Sequence, residues 1–143
     1  FIEDNTWNIL FAKELFELMP NAKLVHVVRD PRDVVASLVK QPWAPNELKK
    51  AIAFYKSIIT RWQNTKKHLP KNRFIEVKFE DMVAREKVIK DICKFAEVKF
   101  YKNMLIISKE DAHIGRWERD FNTRQMKTLQ KELAGIMSEL GYK

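Results

Sequence analysis

Apolar positions repeat with a helical period in five stretches of this chain and with a strand pattern in two. In residues 7–19, Ile9, Leu10, Leu15, Phe16 and Met19 fall on one broad stripe, which predicts a helix ended by Pro20-Asn21. Residues 24–28, LVHVV, are short, β-branched and apolar on both faces apart from His26. That pattern predicts a buried parallel strand. Asp30 then suits a helix N-cap and Pro31 the first helical position, so a helix is expected to about Val39. Pro42 and Pro45 mark a loop around Trp43. A long helix capped by Asn46 is predicted to about His68, with Leu48, Ile52, Tyr55, Ile59 and Trp62 on its apolar side and basic residues opposite. Pro70 stops it. Arg73–Phe79 alternates Ile75, Val77 and Phe79 with polar residues and predicts a second strand. Glu80 and Asp81 read as caps for a helix over about 85–96. Residues 97–121 show no clear period. Residues 123–140 are helical, with Met126, Leu129, Leu133 and Met137 inward and Asn122 and Gln125 spaced as a capping box.

Two strands make a poor sheet for an α/β domain. The strand at 24–28 asks for neighbours on both edges. The expectation is that part of the sheet lies outside this sequence, and that Phe1-Ile2 is the end of a truncated strand, since the first residue is not methionine. The 143 residues otherwise suit a single (partial) domain with one core.

Composition narrows the class. With 45% hydrophobic and 32% charged residues the chain is neither disordered nor membranous, and no apolar run approaches the roughly 20 residues that span a bilayer. The opening FIEDNTWNIL has no basic region of a signal peptide. A net charge of +8 favours an anionic partner: nucleotide, sulfated or phosphorylated substrate, nucleic acid, or acidic membrane. Much of that excess is lysine on helix faces turned to water. Cys93 is the single cysteine, so no internal disulfide and no cysteine metal site is possible. It sits in the apolar pattern Ile89, Ile92, Cys93, Ala96 and reads as a core thiol, which favours a reducing, cytoplasmic setting. His26, His68 and His113 are too scattered for a metal site, and no metal is expected.

The densest chemistry lies in residues 23–40, KLVHVVRDPRDVVASLVK. A strand, a tight turn and a helix start follow one another, with Arg29 at the strand's end. A helix N-terminus has free N–H groups and partial positive charge, so it attracts anions. Arg29 adds a fork of donors suited to phosphate. Ser37 adds a hydroxyl two turns into the helix.

NAKLVHVVRDPRDVVASLV resembles the 3′-phosphate-binding signature of sulfotransferases that use 3′-phosphoadenosine 5′-phosphosulfate. NRFIEVKFEDMV resembles the strand and acidic turn that follow in that family, usually written with Tyr-Glu-Asp-Leu. HIGRW and a last helix ending in ELGY resemble the C-terminal block of the bacterial-type and tyrosylprotein-type members. The resemblance implies an α/β, P-loop-kinase-like parallel sheet flanked by helices, and sulfuryl transfer to a hydroxyl or amine without a metal. The family's first block, a loop gripping the 5′-phosphosulfate, has no counterpart here. The three glycines, Gly115, Gly135 and Gly141, open no N-terminal loop, and no G-x-x-x-x-G-K occurs. The chain is therefore expected to carry the 3′-phosphate half of the donor site and to be inactive alone.

Residue by residue, the resemblance makes Arg29 and Ser37 ligands of the 3′-phosphate. The plainer alternatives are an ion pair of Arg29 with Asp30 or Asp33, and a packing serine. Asp33 is expected to stabilise the turn, and Arg32 to pair with a local acid or face solvent. Glu3 matches a catalytic glutamate of several members, although Asp4 stands where they carry lysine. As a base it takes the acceptor's proton; otherwise it is a solvated carboxylate. Phe79 replaces a tyrosine that contacts adenine and can stack on a purine, or be core. Arg116 is the basic candidate in the late loop, Trp117 reads as a loop anchor, and His113 as incidental. The acceptor, a carbohydrate, phenol, lipid or protein tyrosine, is expected among loops 41–47 and 101–121, where Trp43, Tyr101 and Trp117 suggest an aromatic lining. A non-catalytic nucleotide- or anion-binding module is the alternative. A basic nucleic-acid-binding domain is a third reading, disfavoured because no binding motif is present.

Overall fold

The computed structural model describes residues 2–105 and 112–143. Among them the helices are α1 (Ala12–Leu18), α2 (Pro31–Leu38), α3 (Leu48–Thr65), α4 (Phe79–Ala84), α5 (Glu86–Ala96), α6 (Trp117–Asp120) and α7 (Thr123–Glu139). The strands are β1 (Leu24–Val28) and β2 (Phe74–Lys78). They pair with each other in parallel, Leu24 opposite Phe74 through Val28 opposite Lys78. α2 and α3 form the crossover between them. The expected α/β class with a parallel sheet and flanking helices is thus the one observed.

Local chemistry explains most boundaries. Asp30 caps α2 by accepting the Arg32 N–H at 2.8 Å, and Pro31 opens the helix. Asn122 and Gln125 form the expected capping box of α7, each side chain 3.0 Å from the other's N–H. The stretch expected as one helix at 7–19 is a 3₁₀ turn, Thr6–Phe11, joined to α1. Asn5 caps that turn through the Trp7 N–H. The C-terminal carbonyls of α1 are collected by Arg73, which donates to Phe16, Met19 and Ala22 and lies over the Phe16 ring at 4.1 Å.

Three further expectations need correction. α3 begins at Leu48 with Glu47 at its cap position, and neither Asn46 nor Glu47 makes a side-chain cap bond. α4 starts directly at Phe79, so Glu80 lies inside its first turn and is not a cap of α5. β1 is not buried on both faces, since Val27 is 42% exposed. Among the described residues β1 has the single partner β2, and nothing covers Val27 fully. Of the strand end expected at Phe1-Ile2, Phe1 lies outside the described residues, and Ile2 is 93% exposed and in no strand.

The main core joins α2, α3 and α7. Val35, Ala36, Ala51, Leu129 and Leu133 are fully buried there, with Trp117 and Phe121 from the late segment packed in. A smaller core sets Ala12, Phe16, Trp62 and Leu69 against Leu24 and Phe74 of the sheet. Cys93 is buried, its Sγ 3.7 Å from the Met104 sulfur, as a core thiol should be. No helix among the described residues is long and apolar enough to cross a membrane.

Glu76 ties α3 to the sheet. It accepts from Trp62 Nε1 at 2.8 Å and Lys66 Nζ at 2.6 Å, and its Oε1 is 2.9 Å from Nδ1 of its cross-strand partner His26. Burial raises the Glu76 carboxyl pKa, but the hydrogen bonds from His26, Lys66 and Trp62 outweigh it and bring the carboxyl down to about 2. A carboxylate held below its ordinary 4.5 stabilises the fold above that pH and loses the contribution as pH falls toward 2. With partial exposure discounted, about 1–2 kcal/mol should disappear across that window. Glu76→Gln should flatten the curve of stability against pH between 5 and 2. Denaturant titrations at pH 7 and pH 3 measure it, and parallel curves for both proteins would refute the assignment.

Candidate functional site

The C-terminal ends of β1 and β2 bring the Arg-Asp-Pro turn, the start of α4, the late loop at 112–116 and the chain's last residues together. In open α/β sheets this edge is where ligands bind. Arg29 leaves β1 with its guanidinium 5.0 Å from the centre of the Phe79 ring. Its Nη2 donates to the carbonyls of Ala112 at 3.1 Å and His113 at 2.7 Å. The same nitrogen is 3.5 Å from Asp33 Oδ2. Nε is buried without a partner, and Nη1 has none among the described residues. An unpaired buried donor costs about 1–3 kcal/mol, so it marks a place where a partner belongs.

Arg29 and Phe79 are therefore neighbours, while the ion pair with Asp33 is also present. That pair is not a surface one, because Asp33 is fully buried. Asp33 accepts the Gly115 N–H at 2.8 Å and the Trp117 N–H at 3.1 Å. The residue expected to steady its own turn instead fastens a loop 82 positions away. Gly115 has φ +75°, a conformation that disfavours any side chain there.

Ser37 lies one turn beyond Asp33 on the same face of α2, half-buried, its hydroxyl without a hydrogen bond among the described residues. Arg116 does not join Arg29. It donates from Nε to Asp120 at 2.9 Å, an oxygen shared with Lys40 at 2.8 Å. Lys40 chiefly, and Arg116, lower the Asp120 pKa against the opposing effect of burial. Arg32 pairs with Asp30 at 2.6 Å and covers the Trp117 ring at 4.3 Å. Trp117 is buried in the main core, as a loop anchor should be. His113 contributes its carbonyl, with φ 49°.

The turn itself is not an open anion cradle. The Arg32 N–H goes to the Asp30 carboxylate and the Asp30 N–H to Glu80 at 3.0 Å. Carboxylates already occupy the positions that a helix N-terminus offers to an anion. Donors for a phosphate are left on Arg29 and Ser37.

Glu3 is exposed and accepts the Asn5 N–H at 3.2 Å; among the described residues no hydrogen bond or ion pair joins it to the Arg29 cluster. Four residues on, Trp7 meets Trp43 edge-on at 5.6 Å and Phe54 at 6.1 Å. The N-terminal segment thus lies against the loop expected to line the acceptor. Trp7 was not singled out in the sequence, where it reads as one more apolar residue. Part of the other candidate lining, 106–111, lies outside the described residues.

Glu80 and Tyr142 complete the turn's support, and neither was foreseen in that role. Tyr142 donates to Glu80 at 2.6 Å, with the Val28 carbonyl at 3.3 Å, and Lys78 lies over its ring at 4.3 Å while donating to the Gly141 carbonyl. Burial first, then the bond to Glu80, push the phenol well above its ordinary pKa. The only sequence signal was the terminal Leu-Gly-Tyr. Tyr142→Phe should lower stability by about 1 kcal/mol in denaturant titrations, and no change would show the bond to be idle.

Two shallow grooves lie on the surface, one of them beside the turn at Arg32 and Tyr142. One of about 490 Å³ runs along Arg124, Lys127 and Lys131 on α7, and one of about 500 Å³ lies between α7 and Arg32. Neither touches Arg29, Ser37 or Phe79.

A family model described as the sulfotransferase family matches residues 1–102. No curated protein matches the chain. Among solved structures, the sulfotransferase domain from the curacin biosynthetic pathway is similar in fold, with a TM-score of 0.68 at 18% identity. The match covers 98% of this chain and 61% of that one, so the chain spans about three-fifths of that relative's length.

Proposed function

Because this chain belongs to the sulfotransferase family, we propose that it binds the 3′-phosphate end of 3′-phosphoadenosine 5′-phosphosulfate at Arg29. The observation that carries this reading is the state of Arg29. It stands at the end of β1, half-covered by Phe79, with Nε buried and unpaired and Nη1 without a partner among the described residues. A phosphate that reaches the exposed part of the guanidinium, whose side chain is 22% exposed, gives it a charge-assisted bond that the loop carbonyls leave unmade. Ser37, a turn past Asp33, offers its hydroxyl, without a hydrogen bond among the described residues, to the same group. Phe79 offers an apolar face to the purine, and Arg116 supplies positive potential at the far end of α2 while held by Asp120.

Bound there, the donor passes its sulfuryl group in line to a hydroxyl or amine: the acceptor's bond to sulfur forms as the bond from sulfur to the 5′-phosphate oxygen breaks, and adenosine 3′,5′-bisphosphate leaves. Glu3 is the proposed base that takes the acceptor's proton. Its segment leads to the Trp7–Trp43 pair, which supports an aromatic-lined acceptor region on that side. A carbohydrate, phenol, lipid or protein tyrosine each fits such a lining.

Calorimetry of the chain with adenosine 3′,5′-bisphosphate tests the reading. Saturable one-to-one binding that weakens with added salt is expected, and no binding at millimolar nucleotide overturns it. Sulfuryl transfer by these 143 residues is expected to be undetectable, because none of their loops resembles the family's 5′-phosphosulfate grip. Turnover in an assay with labelled donor would refute that.

A further inference from the structure

Asp33 is the one charged residue among those described that is fully buried. Burying a carboxylate is unfavourable unless its oxygens are hydrogen-bonded and its charge is matched. Both oxygens are used here on a single segment. Oδ2 accepts the Gly115 N–H and Oδ1 the Trp117 N–H. The charge is matched by Arg29, 3.5 Å away. Arg29 in turn donates to the carbonyls of Ala112 and His113. The two side chains, one turn apart, thus hold the same loop by its backbone, Asp33 by the N–H groups and Arg29 by the carbonyls.

Resting on the proposed function, we infer that Asp33 is a positioning residue: it clamps the late loop over Arg29 and so aims the guanidinium at the donor's 3′-phosphate. Two physical consequences follow from the geometry. With its oxygens turned to the loop N–H groups, Asp33 presents less negative charge to an anion between Arg29 and Ser37. With the loop carbonyls fixed, Arg29 Nη2 is pinned, which orients Nε and Nη1 without entropy lost at binding. Nucleotide binding and loop order are then coupled. A ligand held by Arg29 keeps the guanidinium still, and with it the Ala112 and His113 carbonyls on Nη2, so it steadies a loop that Asp33 already holds.

The test compares two nucleotides that differ only by the 3′-phosphate, adenosine 3′,5′-bisphosphate and adenosine 5′-monophosphate. Calorimetry is run on wild type and Asp33→Asn, with thermal unfolding of both recorded alongside. The asparagine keeps the shape but places an NH₂ against one of the loop N–H donors. Wild type is expected to prefer the bisphosphate, and Asp33→Asn to lose about tenfold of that preference while its affinity for the monophosphate stays within twofold. A residue with a merely structural role would lower the melting temperature and leave the preference unchanged; that outcome overturns the inference but not the proposed function. A wild type without any preference overturns the reading of Arg29 itself. Should Asp33→Asn fail to fold, amide exchange in wild type decides. The Gly115 and Trp117 amides should slow at least threefold when the bisphosphate is added and not when the monophosphate is. Equal protection with and without the bisphosphate refutes the coupling.

Discussion

Arg29→Ala is expected to weaken binding of adenosine 3′,5′-bisphosphate by about 100-fold. Hydrogen bonds to a charged group contribute about 1.5–3 kcal/mol each, so the loss of one accounts for a factor of ten to more than a hundred. Two effects combine. The guanidinium's open donors vanish, and the carbonyls of Ala112 and His113 lose the group that gathers them. Arg29→Lys separates these. Lysine retains the charge but not the planar fork, so it should recover part of the affinity, to within about tenfold of wild type. Calorimetry at fixed salt measures all three proteins. Equal affinity of wild type and Arg29→Ala would remove Arg29 from the donor site.

Trp62→Ala should be the most damaging single change to the fold. Trp62 is fully buried at the end of α3, edge-on to His26 at 4.8 Å and to Phe74 at 5.8 Å, with its indole N–H on Glu76. Truncating a buried tryptophan costs about 3–5 kcal/mol, a large part of the 5–15 kcal/mol that holds a domain together. It also removes the contact through which α3, α1 and the sheet meet. Trp62→Phe keeps an aromatic ring and loses the N–H, and should cost about 1–2 kcal/mol beyond any repacking. Urea unfolding gives both numbers. A loss below about 1 kcal/mol for Trp62→Ala would show that the sheet is held elsewhere.

The two strands, α2 and α7 with their caps, and the pairing of Arg32 with a local acid were legible because each depends on residues within a few positions. Asp30 beside Pro31 and Asn122 three before Gln125 are local geometry. α4 and α6 were not legible, since six and four residues give no period to count. Residues 112–121 resisted for the same reason. They take their shape from Asp33, Arg29 and the main core, none of them nearby in sequence. The resemblance makes Arg116 the basic candidate of the late loop. Its pairing with Asp120, shared with Lys40, depends on how α6 packs on α2.

By itself the sequence determined the strand–turn–helix at 23–40, the place of Arg29 just past the strand's end, and the family. The first two rest on contiguous pattern, since hydrophobic period and capping residues lie within about twenty positions, and the family rests on several such blocks in order along the chain. Tertiary structure alone decided what surrounds Arg29. A carboxylate that reads as a turn residue became a buried anchor for a loop 82 positions on, and the last tyrosine became a brace that reaches the end of β1 114 positions back. Such bonds join groups whose separation no local rule specifies. They form because packing of the core removes these polar groups from water and each must then find its partner inside the fold.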